Sequence, residues 1–268
     1  MDQNDNQASR CCVFCGSPAD SKEHVFSKRL CKRAGAVKYP VIAGLYTEGR
    51  ESISRNKHEI EAVQVRHVCQ SCNNTWMNNL EAWFELRLGF LIEPQWPQLA
   101  LPMIEALTSE RNKLAQWLMK TAVTFSLASL QGEHPVKFSP AVTQRVKDGV
   151  LPKNCWVDLA YSKSKSSTVA ATITRLFHVI NGGLPIQSQV IKNGDGFKFI
   201  VQFNHLLLRI AQAPGANVTY RSQHGEIPVR LYPTPFSRTP DNFAYEDIMK
   251  FEHSVVLETS KDCPGNIT

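Results

Sequence analysis

Four cysteines in this chain are spaced for metal chemistry. Cys12 and Cys15 form a C-x-x-C that ends on Gly16, and Cys69 and Cys72 form a second in the text CQSCN. A turn of that length aims two thiolates at one point, and two such turns complete the four-sulfur shell that structural Zn²⁺ takes. The polar first ten residues lack the apolar centre of a signal peptide, and no apolar run reaches the ~20 residues that span a bilayer. The expectation is a cytoplasmic chain away from membranes, where paired thiols among eight cysteines serve metal or redox chemistry rather than disulfides. A redox C-x-x-C calls for a thioredoxin-like βαβ setting, which this stretch does not show. Cys11 offers a looser C-x-x-x-C register, and His58 and His67 are alternative ligands, but four cysteines already suffice. Cys31, Cys155 and Cys263 read as ordinary thiols.

Between the two pairs lies SKEHVFSK, in which Glu23 stands beside His24. An imidazole titrates near neutrality and so keeps a neutral fraction able to accept a proton. Lys22, Lys28, Arg29, Lys32, Arg33 and Lys38 crowd around the pair, opposed nearby only by Asp20 and Glu23. With a net charge of +6, this run favours a polyanionic partner, because lysines and arginines that displace condensed counterions attract phosphates whatever the base sequence. A solvated basic face is the plainer account of the same run.

The elements that must position these residues follow from periodicity. Residues 1–10 are polar and read as a disordered start, and 41–54 read as an irregular insertion with one short strand. Trp76, Leu80, Trp83, Phe84 and Leu88 recur at three- and four-residue steps, which predicts a helix over 74–90 with its aromatics in the core. Prolines at 94, 97 and 102 then break the helix and mark a connector. A second helix is predicted over 109–130, and strands dominate 153–233. The fold class is α+β: a zinc-bound module over 11–93, then a larger helix-then-β-rich domain over 94–268, whose role the sequence does not reveal. Its 43% apolar residues are enough for a core.

The order C-x-x-C, acidic residue with histidine and an apolar pair, then C-x-x-C-N opening a helix resembles the cysteine-bearing HNH endonucleases, which have a ββα-metal fold. The matching text is CVFC, EHVF and CQSCN, and the continuation NNTWMNNLE looks like a subset of bacterial HNH-type proteins. The likeness covers the first third of the chain. It implies that His24 is the general base of phosphodiester hydrolysis and that Glu23 and Asn73 hold a catalytic Mg²⁺ or Mn²⁺, separate from the structural zinc. The substrate implied is nucleic acid, DNA first, gripped by Lys22, Lys28, Arg29, Lys32 and Arg33. Two departures stand out. Where the family has a middle asparagine this chain has Val63 and Gln64, so Gln64 supplies the amide, and Ser27 replaces a proline. Asn74 and Asn78, four apart on the expected helix, are alternative ligands, although asparagines there are commonly caps. The competing expectation is a zinc-stabilised nucleic-acid-binding module that kept the fold and lost the catalytic metal. A third is a rear domain that binds a protein or small ligand and uses the front module as its effector.

Overall fold

A computed structural model describes residues 10–35, 40–47, 50–59, 63–93, 101–128, 136–163, 169–175, 177–178, 189–190, 196–213, 216–220, 226–233, 235, 242–252 and 254–259. The expected disordered start, apart from Arg10, and the readings of Lys38 and Cys263 lie outside these residues.

Strand β1 (Ser21–His24) pairs antiparallel with β4 (Gln64–Val68), in the register Glu23 to Val65 and His24 to Gln64. Between them run helix α1 (Lys28–Arg33) and a hairpin of β2 (Pro40–Thr47) and β3 (Arg50–Glu59). Lys28, Arg29, Lys32 and Arg33 of the basic run thus lie on a helix, opened by Ser27, whose side chain accepts from the Leu30 N–H. A residue that reads as a missing proline therefore acts as an N-cap. The two-stranded hairpin corrects the expectation of one short strand over 41–54: VIAGLYT is rich in β-branched and aromatic residues, and its partner strand is too polar to stand out alone.

After β4 the chain turns into α2 (Gln70–Cys72), passes through a π-helical turn over Asn73–Met77 and continues as α3 (Asn78–Leu88). The predicted helix over 74–90 is present, with an extra residue in its first turns. Pro102 lies in the first turn of a helix α4 (Leu101–Ser109) that the proline pattern concealed, a position where the missing N–H goes unmissed. The predicted helix over 109–130 is α5 (Arg111–Ala128), buried from Leu114 nearly to its end, and α6 (Pro140–Lys147) follows behind its Ser139 cap.

The rear half carries β5 (Cys155–Ser162), β6 (Val169–Arg175), the short pair β7 (Phe177–His178) and β8 (Gln189–Val190), β9 (Phe197–Phe203), β10 (Leu206–Gln212), β11 (Ala216–Tyr220), β12 (Val229–Tyr232), β13 (Ala244–Tyr245), α7 (Ile248–Glu252) and β14 (Val255–Thr259). The main sheet has the order β12-β5-β10-β9-β6, with β13 parallel to β5, while β11 pairs with β14. Strands β9 and β10 are buried at every position, which is why FKFIVQFNHLLLRIA shows no alternation. They meet at Asn204, whose φ of 49° suits an asparagine in a tight turn.

Packing continues across residue 93. Trp117 of α5 stacks on Phe84 of α3 with centroids 3.9 Å apart, and both rings meet Phe203 of β9. The Asn204 amide donates to the carbonyls of Ala34 at 3.1 Å and Ile92 at 2.6 Å. Beneath the β1–β4 pair, the fully buried Lys120 of α5 bonds Glu81 of α3 and lies 3.6 Å from Glu23 of β1. Trp117 Nε1 donates to the same Glu81 oxygen at 3.0 Å. Burial works to pull the Lys120 pKa down, but the charges of Glu81 and Glu23 outweigh it and hold the ammonium charged. Burial, reinforced by the Glu81 charge, pushes Glu23 up against the pull of Lys120.

Removing Lys120 would leave two carboxylates buried beside each other. Lys120→Ala is therefore expected to lower unfolding stability by ~3–5 kcal/mol in a urea titration, the usual result of breaking a buried charge pair from one side. Adding Glu23→Gln and Glu81→Gln should recover part of it. Lys163→Ala, which removes a cation from the exposed pair with Glu246, should barely move the midpoint. An unchanged midpoint for Lys120→Ala contradicts the account.

Candidate metal centre and the histidine beside it

The first C-x-x-C is a turn closed by its own backbone: Gly16 N–H donates to Cys12 O at 2.8 Å and Cys12 N–H to Ser17 O at 2.6 Å. Gly16 has φ +77°, a left-handed conformation that a side chain would strain. Val13 N–H donates to His67 O at 2.9 Å and thereby docks the turn on β4. The second pair straddles the start of α2, where Cys69 is the N-cap and its sulfur accepts from Cys72 N–H at 3.4 Å. Asp20 Oδ1 takes the Gln70 N–H at 2.6 Å, so both turns are tied to the same strand pair.

These constraints bring Cys12, Cys15, Cys69 and Cys72 together, with all four sulfurs within 4.8 Å of one another and Cys15 only 3.5 Å from Cys69. A tetrahedron with metal–sulfur bonds of about 2.3 Å places its sulfurs roughly 3.8 Å apart, so the cluster can hold a metal ion such as Zn²⁺. Its surroundings suit thiolates. Burial raises the Cys12 pKa, while N–H groups of Cys69 and Phe14 point at its sulfur and work against that. The Ser17 hydroxyl, against a smaller effect of burial, lowers Cys15 to about 6. Burial pushes the Cys72 thiol up, and Trp76 opposes it. Trp76 Nε1 is buried with no hydrogen-bond partner among the described residues. The ring packs edge-on to Phe14 at 5.0 Å, as the core reading expected. His67 and Cys11 stay outside the cluster, and burial followed by the charge of Arg10 lowers the His67 pKa.

His24 stands at the end of β1, with its Nε2 2.8 Å from the side-chain amide of Gln64 on the paired strand. The amide expected from Gln64 thus meets the histidine directly and fixes its ring. Glu23 has the opposite placement. Alternation along β1 turns it inward to Lys120, while His24 faces out. Asn73 lies on the inward side too, where its amide donates to Ser21 Oγ at 3.4 Å, and Ser21 in turn donates to Val68 O. Asn74 and Asn78 are exposed on the helix. Glu23 and Asn73 therefore do not fit the expected Mg²⁺ or Mn²⁺ site: the carboxylate is matched by an ammonium and lies across the strand from His24.

The basic residues divide. Arg29 lies 3.6 Å from Glu85, and Arg33 is held by Glu93 at 2.7 Å and by the Glu85 carbonyl. Lys22, Lys28 and Lys32 are exposed. Sequence reasoning missed Lys120, whose only local signal was one lysine on an otherwise apolar helix face, and Arg66, which alternation in QVRHV puts on the same face as Gln64.

A metal held by four thiolates predicts about one equivalent of zinc in protein purified without added metal, measured by elemental analysis. Cys72→Ser should lower the zinc content and the melting temperature together, and metal-free protein with an unchanged melting temperature contradicts the assignment. Among the described residues, no helix is long and apolar enough to cross a membrane. Comparison with protein-family models, curated proteins and solved structures finds no match for this chain, so its functional reading rests on the geometry above.

Proposed function

We propose that the front of the chain is a zinc-stabilised, HNH-like module that hydrolyses phosphodiesters in nucleic acid, with His24 as its general base. The observation that carries this reading is the 2.8 Å contact between His24 and Gln64 on the outward face of the β1–β4 pair, bracketed by the four-cysteine cluster. Gln64 orients the ring: with its amide oxygen turned to accept from Nε2–H, the tautomer places the lone pair that takes the proton on Nδ1, whereas an amide N–H on Nε2 would occupy the ring's basic lone pair. In the proposed step, His24 takes a proton from water as the water oxygen bonds to phosphorus. The ester P–O bond breaks, the departing oxygen takes a proton from solvent, and His24 returns its own to solvent. The zinc supplies no open position with four sulfurs around it; its role is to fix the C-x-x-C turns against β1 and β4. A divalent cation is the usual neutraliser of charge at phosphorus, but no step is assigned to one here because Glu23 is matched by Lys120.

The same burial of Glu23 favours a second reading, in which the module binds nucleic acid without cutting it. Plasmid nicking separates the two. The hydrolytic reading predicts nicking by the zinc-loaded protein, a loss of ~10²–10⁴ in rate for His24→Ala, and a smaller loss for Gln64→Ala. Both variants should retain zinc and the wild-type melting temperature. If the intact protein cuts neither DNA nor RNA, with or without Mg²⁺ or Mn²⁺, hydrolysis is excluded and the binding reading stands. Cutting that persists in His24→Ala removes the assigned base.

A further inference from the structure

On the outward side of the β1–β4 pair, alternation gathers four side chains. Glu23 and Val65 face each other and are buried, so their neighbours Lys22, His24, Gln64 and Arg66 turn the other way. His24 pairs with Gln64, while Lys22 falls in the irregular step between the Ser21–Val68 and Glu23–Val65 pairs, across from the Arg66–His67 stretch. Lys22 and Arg66 are both exposed, and neither has a carboxylate partner among the described residues. The arginines of α1 differ, since Glu85 and Glu93 hold them.

We infer that this outward face is a binding site for the phosphodiester backbone of a nucleic-acid strand, with Arg66 as its principal anchor and Lys22 beside it. The inference rests on the reading that the module acts on nucleic acid. A guanidinium offers a planar fork that meets two phosphate oxygens at once, whereas a lysine gives a single point of charge. A phosphate on Arg66 lies one same-face step along β4 from Gln64, and so next to His24. Fixed positive charge at that position also stabilises the negative charge that builds on the non-bridging phosphate oxygens during attack, a role for which the buried Glu23 offers no cation.

Fluorescence anisotropy with a labelled 20-nucleotide DNA, as single strand and as duplex, tests this on the full zinc-loaded chain over a series of salt concentrations. Wild-type affinity should fall as salt rises. Arg66→Ala should weaken binding at low salt roughly tenfold and reduce the slope of log affinity against log salt by about 0.7–0.9, the release from one phosphate contact. Arg66→Lys should keep most of the slope with lower affinity, and Lys22→Ala should act as a milder Arg66→Ala. Unchanged zinc content would show that the variants are folded. Wild-type affinity and slope in Arg66→Ala overturn the inference, as does a wild-type chain that binds neither probe. Cleavage measured on the same samples separates the two readings. If Arg66→Ala loses binding and nothing is cut, the anchor stands and hydrolysis falls. If His24→Ala abolishes cutting while Arg66→Ala binds and cuts normally, hydrolysis stands and the anchor is wrong.

Discussion

Convergence of four sulfurs is the constraint on which the front of this molecule depends. The strand pair that carries His24 consists of a four-residue strand and a five-residue strand, and a two-stranded sheet that short is marginal in water. It persists because both of its outer ends are tied down. The first C-x-x-C turn bonds to β4 through Val13 and His67, and the second opens the helix that Asp20 reaches at Gln70. An ion at the centre would draw these attachments into one rigid unit, and it would relieve the buried thiols of Cys12 and Cys72 by exchanging their protons for metal.

The other side of the strand pair is governed by Lys120. A single cation on α5 draws Glu23 of β1 and Glu81 of α3 together, so the β1–β4 pair, the helix after the second cysteine pair and the long central helix share one underside. The strand period of two then assigns opposite roles to adjacent residues. Glu23 turns inward and becomes part of the packing, while His24 turns outward to Gln64. A carboxylate and an imidazole that read as one catalytic pair in the sequence are turned to opposite faces of one strand.

What was legible in the sequence was local. The cysteine spacing identified the cluster because each pair needs only a turn to form, and α5 was plain because Leu114, Trp117, Leu118, Ala122 and Phe125 repeat at helical steps. Gln64 stands where the HNH-like pattern has an asparagine, and its side chain meets His24. The hairpin of β2 and β3 was not legible, because ESISRNKHE carries too few apolar residues to show a period. Helix α1 was hidden behind its charge and α4 behind its proline. The fate of Glu23 was invisible for a different reason: its partner lies on another helix far along the chain, and no local pattern encodes a tertiary ion pair. The basic run misled in part for the same reason, since Glu85 and Glu93 reach back to hold Arg29 and Arg33.

The central claim is that one zinc ion on four cysteine sulfurs organises this module. X-ray absorption at the zinc edge of the purified chain tests it most directly, because it reads the identity and distance of the atoms bound to the metal. Zinc held by Cys12, Cys15, Cys69 and Cys72 should show a single shell of four sulfurs at about 2.3 Å with no nitrogen or oxygen neighbours. A spectrum with imidazole or water in the shell, or with fewer than four sulfurs, would contradict the claim, and so would a folded chain with no zinc to measure.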